Sequence, residues 1–280
     1  MIWHTALANQ FFLQKNITGR DIIKSPDTDV AVLAIHYFPQ FENVDELWLE
    51  TGTITATKDL RRYIPIHEIS KSQSPIFSEI LPAVHALTGY DTTSSFFMVG
   101  KNKAINVIQE NGAAYFEDLA TFGQKNIEEE KRSARKLVAL LYDPKKKHGQ
   151  YHENLNVLRS KIATAKDVAV AQLPPAEASF EEHVKRAMWQ TRVWTSAHIA
   201  NPDLGSPEDF GWEKVGASMT PVLFQGDTAS EQLQGLVCEC SDKVKKMCNR
   251  TCGCTEAGIP CCILCPCSGI EEDCFNDYTR

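Results

Sequence analysis

All ten cysteines of this 280-residue chain lie between positions 238 and 274. They run Cys238-x-Cys240, seven residues, Cys248, three residues, Cys252-x-Cys254, six residues, Cys261-Cys262, two residues, Cys265-x-Cys267, six residues, Cys274. In a reducing compartment thiols at this density are metal ligands rather than disulfides. Zinc takes four thiolates in a tetrahedron. Nine of the ten cysteines fit a regular scheme, and nine ligands complete three zinc sites if three of them bridge. Nine thiolates against three divalent ions leave a charge of about −3, which Lys243, Lys245, Lys246 and Arg250 are placed to offset. A disulfide or redox role is the alternative for this tail.

The second candidate chemistry is carboxylate. Asp27 and Asp29 form a D-x-D at the end of a short strand, where open α/β sheets carry their sites. Two carboxylates there can share a hard cation, magnesium or manganese. The competing reading has Asp27 stabilising a helical turn through the dipole and Asp29 solvated. Asp91 closes a Thr88-Gly89-Tyr90-Asp91 turn. Beyond it, Gly100 opens a basic helix start whose amides, with Lys101 and Lys103, can hold a phosphate; a plain packing element is the alternative. Lys145-Lys146-Lys147-His148 reads as a solvated loop.

The elements that must position these groups point to an α/β fold with a helical extension and a small irregular zinc-cluster domain. Asp21 to Lys24 reads as a strand, with Ser25 as helix N-cap, Pro26 at the first helical position and Val30 to Tyr37 as the helix. Strands are expected over 46–50 and 63–67 around a polar loop. The helix expected over 76–87 should kink or restart at Pro82. Apolar stripes over 134–142, 155–165 and Phe180, Val184, Ala187, Thr191 and Trp194 predict three further helices, the last begun by a Ser179/Glu182 capping box. Trp189 and Trp194 read as core. The segment 201–236, rich in Pro, Gly, Ser and acidic residues, reads as a linker. No apolar run reaches the 18 or so residues that span a bilayer, and Met1 to Lys15 lacks the features of a signal peptide, which places the chain inside the cell. The net charge of −7 leaves nucleic-acid attraction to local patches.

Two resemblances attach to these motifs. The order Asp27-x-Asp29, Gly89-Tyr90-Asp91 and Gly100 to Gln109 resembles the later half of the flap-endonuclease/XPG branch of PIN-like nucleases. It implies a truncated parallel-sheet nuclease domain over residues 1–112, with Asp27, Asp29 and Asp91 as divalent-metal ligands and a helix-turn-helix that grips duplex backbone. The family's first-strand aspartate and its acidic segment before the central helix have no counterpart here.

The tail, through T-E-A-G-I-P and Cys274-Phe275-Asn276, resembles the CXC domain of tesmin-type and male-specific-lethal-type chromatin proteins. That implies zinc on Cys238, Cys240, Cys248, Cys252, Cys254, Cys261, Cys265, Cys267 and Cys274, with Cys262 supernumerary. Family CXC domains bind DNA, in the tesmin type through a tyrosine that inserts into the minor groove; Thr251 stands at that position.

The whole order resembles transposon-derived proteins present in many copies in invertebrate genomes. The expected organisation is thus 1–112 nuclease-like, 113–200 helical extension, 201–236 linker and 237–280 zinc domain. The expected function is that of a nuclear, zinc-binding, DNA- or chromatin-associated protein of mobile-element origin with a degenerate nuclease domain. A magnesium- or manganese-dependent structure-selective nuclease and a non-enzymatic interaction scaffold are the alternatives.

Overall fold

In a computed structural model of the chain, residues 1–55, 57–149, 152–163, 170–223, 240, 248, 252–256, 261, 265, 267 and 274–276 are described. Two units divide it, Met1–Phe224 and Gln225–Arg280.

The first unit builds a three-stranded mixed sheet from β1 (Gly19–Lys24), β2 (Val44–Thr51) and β3 (Arg62–Pro65). Only β1 and β2 run parallel, from Gly19 beside Val44 to Lys24 beside Glu50; β3 returns antiparallel, with Trp48 opposite Pro65 and Thr51 opposite Arg62. The expected parallel sheet is thus a single parallel pair with a hairpin strand added. Val44, Leu47 and Leu49 bury one side of β2 against Val30, Ala34 and Tyr37 of α2 (Thr28–Tyr37) and Ile66 of α3 (Ile66–Ser72). α1 (Ile2–Lys15) buries only Ile2 and Thr5, leaving Trp3, Leu7, Phe11 and Leu13 exposed.

The strand-to-helix turn differs from the sequence expectation. Helix α2 starts at Thr28 with Asp27, not Ser25, as its cap: Asp27 Oδ1 accepts from the Asp29 amide at 2.9 Å, while Ser25 Oγ accepts from the Asp27 amide at 3.1 Å. An ionised carboxylate is the stronger acceptor and also suits the positive end of the helix dipole, which moves the start downstream of the Ser-Pro signal.

Helix α4 (Pro75–Leu87) runs unbroken through Pro82. Proline has no N–H to give the carbonyl four residues back, which is that of Ser78. His36 on α2 supplies the donor instead, its Nδ1–H reaching Ser78 O at 2.9 Å. The hydrogen bond that Pro82 removes is therefore replaced by one that docks α2 on α4.

Around α4 gather α5 (Lys101–Asn111), the 3-10 turns of Ala113–Thr121, α6 (Ile127–Tyr142), α7 (Leu155–Ala163) and α8 (Glu177–Thr195). Val84 and Leu87, Val107 and Ile108, Leu137 and Leu141, and Phe180 and Val184 form one apolar core. Each such side chain contributes about 1.5–3 kcal/mol relative to exposure. The segments expected as 1–112 and 113–200 share this core. Helix α6 is capped by Asn126, whose Oδ1 accepts from the Glu129 amide at 3.1 Å.

Helix α8 begins at Glu177, so Ser179 lies inside it and not at its cap. Glu177 ties that first turn to its neighbours, pairing with Arg135 and accepting the Leu155 amide at 2.6 Å. Glu182, the expected capping-box partner, pairs with Lys185 at 2.7 Å. Part of the expected linker is folded: Phe210 and Trp212 pack on the helical core, and β4 (Trp212–Val215) and β5 (Ser218–Pro221) make a hairpin. Arg186 of α8 donates to the carbonyls of Gly211 and Val222 on either side of it.

Candidate metal centre

Eight cysteines are described in the second unit, and they converge. The thiols of Cys248, Cys261, Cys267 and Cys274 form one group in which all sulfurs lie within 4.8 Å of one another; Cys240, Cys248 and Cys252 form a second, and Cys252, Cys254 and Cys261 a third. Any two of these groups share one thiol, so Cys248, Cys252 and Cys261 each stand at a junction. Cys265 extends the third group, its Sγ lying 3.8 Å from that of Cys254. Cys252 and Cys261 are 3.9 Å apart. These separations are nearly twice the ~2.05 Å of a disulfide bond. They match the edge of a tetrahedron with zinc–sulfur bonds of about 2.3 Å, which is about 3.8 Å.

The cluster is largely buried, Cys240 being half-exposed, and is supported by local backbone. Cys252 and Cys274 have no exposed surface, and Cys248, Cys254, Cys261, Cys265 and Cys267 are buried with them. Cys252 immediately precedes the helical turn α9 (Gly253–Glu256). Burial pushes its thiol up, but hydrogen bonds from Thr255 and from the Cys254 amide outweigh that and bring it down to about 6. A thiol at a helix start is poised as a thiolate ligand. Burial raises the Cys254 and Cys261 thiols instead. The fully buried Asn276 donates its Nδ2–H to Cys261 Sγ at 3.3 Å, the kind of outer contact that orients a metal ligand. Cys238, Cys262, Lys243, Lys245, Lys246, Arg250 and Thr251 lie outside the described residues.

In the first unit, Asp27, Asp29 and Asp91 come to one neighbourhood. Asp29 is buried, and its Oδ1 lies 2.6 Å from Nε2 of His85 on α4. Burial depresses the affinity of His85 for a proton, opposed by the Asp29 hydrogen bond. Tyr90 sits beside the pair: burial, then the charge of Asp29 and a hydrogen bond with it, then the charges of Asp91 and Asp27, raise its phenol. Trp194 of α8 packs against both rings, 5.2 Å from His85 and 4.9 Å from Tyr90. Asp27 is spent as the α2 cap, and Asp91 is exposed. Among the described residues, the sets of three or more ligand atoms within 4.8 Å of one another are all cysteine sets.

The glycine and threonines of the Gly89 to Ser94 turn hold this arrangement. Gly89 has φ +101°, and a Cβ there would meet the Ser95 Cβ at 2.6 Å; only glycine fits. Thr92 Oγ1 donates to Gln190 at 2.7 Å, Thr93 Oγ1 to Ala86 O at 3.0 Å, and Ser94 bonds His183 at 2.8 Å. Lys101 Nζ donates to the carbonyls of His85 (3.0 Å) and Gly89 (2.6 Å) and to Thr88 Oγ1 (3.3 Å), closing the carbonyl end of α4. Lys103 is exposed. A cavity of about 230 Å³, lined by Val32, Leu81, Val84 and Ile105 with His85 and Lys101 among its walls, adjoins the pair.

Sequence reasoning missed His85 and Tyr90; the available signal was a histidine within an apolar helix, six residues before Asp91. No helix among the described residues is long and apolar enough to cross a membrane. Comparison with protein-family models, with curated proteins and with solved structures finds no match to this chain.

Proposed function

We propose that the tail is a three-zinc module in which nine thiolates serve twelve zinc–sulfur bonds. The observation that carries this reading is the sharing of Cys248, Cys252 and Cys261 between groups. Cys267 and Cys274 complete the first site, Cys254 and Cys265 the third, and Cys240 with its C-x-C neighbour Cys238 the second. An all-thiolate donor set with shared sulfurs suits zinc. Elemental analysis of the purified full chain is expected to give about three zinc ions per molecule; fewer than two overturns the reading.

The module serves, in this reading, a nuclear DNA- or chromatin-associated protein of mobile-element origin whose first unit is a degenerate relative of PIN-like nucleases. The basic residues Lys243, Lys245, Lys246 and Arg250 support it, since cationic side chains clustered in sequence are the groups that neutralise backbone phosphates. Duplex DNA is expected to shift the full chain in a gel at low salt and to release it as salt rises. Failure to bind at low salt leaves a zinc-held interaction scaffold.

One observation favours an enzymatic alternative: Asp27 and Asp29 share one helix start, and Asp29 bonds His85, whose ring lies 6.3 Å from that of Tyr90, the residue before Asp91. A magnesium- or manganese-dependent nuclease using them would cleave flap or duplex substrates, and Asp91→Ala would abolish that cleavage. Cleavage that is absent, or that persists in Asp91→Ala, removes this alternative.

A further inference from the structure

The first unit contains a second concave site, far in sequence from the thiols and from the three aspartates. Helix α6 presents Arg132, Arg135, Lys136 and Ala139 at helical spacing to a cavity of about 270 Å³, closed by Tyr115, Asp118 and His152. Such a volume is several times the ~30 Å³ that one water occupies in the liquid. It is below the ~300–1,000 Å³ of pockets for drug-sized ligands. A single compact ligand fits.

Arg132, Arg135 and Lys136 outnumber the one acid of the walls, Asp118, and only part of their charge is paired. Lys136 Nζ pairs with Asp118 at 2.9 Å, and Arg135 pairs through Nη2 with Glu177. That leaves Arg132, exposed on α6, whose guanidinium makes no hydrogen bond or ion pair among the described residues and has the charge of Asp118 nearby. Lys146 adds an ammonium 5.4 Å from the Tyr115 ring, with that of Lys136 at 5.1 Å. Two nitrogens of the lining are buried without a partner: Nε of Arg135 and Nε2 of His152, the latter on a side chain only 5% exposed. A buried polar atom left unmatched costs about 1–3 kcal/mol, so two behind the wall of one small cavity favour a ligand that their side chains can turn to meet.

We infer that this cavity binds a phosphate group, carried by a small phosphomonoester or as free phosphate. Arginine is the side chain best shaped for phosphate oxygens, and the Nε–H of Arg135 and the guanidinium of Arg132 offer donors from one helix face. His152 makes a hydrogen bond with the Gly149 backbone. Its Nε2 can share a proton with a phosphate oxygen, and one hydrogen bond forms whichever of the two holds it. A phosphate presents more oxygens than a carboxylate, which suits donors converging from α6 and from His152. The inference is independent of the zinc reading.

The test is calorimetric titration of the full chain with inorganic phosphate and, separately, with ribose 5-phosphate. Binding with a Kd of about 1 mM or tighter is expected, an ordinary value for one phosphate held by a few charged hydrogen bonds. Tighter binding of the ester identifies a phosphomonoester as the ligand class; equal binding identifies free phosphate. Arg132→Gln, which breaks no hydrogen bond or ion pair among the described residues, is expected to weaken binding by about tenfold or more. Arg20→Gln, on the sheet, should leave it unchanged. Absence of binding by either compound, unchanged affinity in Arg132→Gln, or an equal loss in Arg20→Gln overturns the inference.

Discussion

Cys248, Cys252 and Cys261 each stand in two thiol groups, whereas Cys267 and Cys274 stand in one. In the three-zinc reading, replacing a shared thiol therefore damages two sites. Cys261→Ser is expected to leave one intact site and Cys267→Ser two, a difference that native mass spectrometry of the full chain counts directly. If both variants lose the same number of ions, the sharing is wrong. Lys101 poses a different single-residue question, because its ammonium closes the last turn of α4 through three acceptors. Lys101→Met is expected to lower the stability of the first unit by about 1 kcal/mol, a partly exposed charged cap being worth that much. Lys103→Met, on the exposed neighbouring turn, should change it by less than about 0.5 kcal/mol. Urea unfolding followed by tryptophan fluorescence separates the two.

Between α2 and α4, the pairing of His36 with the Ser78 carbonyl predicts a coupled pair of substitutions. His36→Ala strands a carbonyl that Pro82 cannot serve, and should cost about 1–3 kcal/mol. Pro82→Ala restores an amide four residues on, so it should stabilise more in the His36→Ala background than in the wild type, by about 1 kcal/mol in a double-mutant cycle. Equal effects in both backgrounds would show that the two residues act independently. The same contact shows where reading the chain stops short. Its apolar spacings locate α2, α4 and α8, because burial of one face imposes a period that local sequence must carry. The cysteine tail is legible for a related reason: metal geometry constrains ligand spacing. The partners of Asp29 and of Ser78 O are His85 and His36, 56 and 42 residues away, and no local pattern encodes them. Ser179 misleads for the opposite reason, since the tertiary ties of Glu177 draw the helix start back past a sound local cap.

Across the first unit, four described histidines have their protons disfavoured by burial: His36, His85 and His152, and His183, whose pKa is brought down to about 4. His183 bonds Leu87 O at 2.9 Å and Ser94 at 2.8 Å, contacts that suit the neutral ring. An unfolded histidine takes its proton near 6.5. Between pH 6.5 and about 4 the unfolded chain thus holds more protons than the folded one, so stability is full above that window and falls as pH drops through it. His183 alone accounts for roughly 3 kcal/mol of that fall. Thermal unfolding monitored at 295 nm should show the melting temperature dropping across this window, and dropping less in His183→Asn; a flat profile would exclude the buried neutral ring. The thiol junctions have a consequence of another kind. When each metal shares a sulfur with both of the others, the first ion bound arranges ligands for the second and third. In the three-zinc reading intermediate occupancies are thereby suppressed, and the tail would fill over a narrow range of zinc availability, reading supply as a threshold, empty below and complete above.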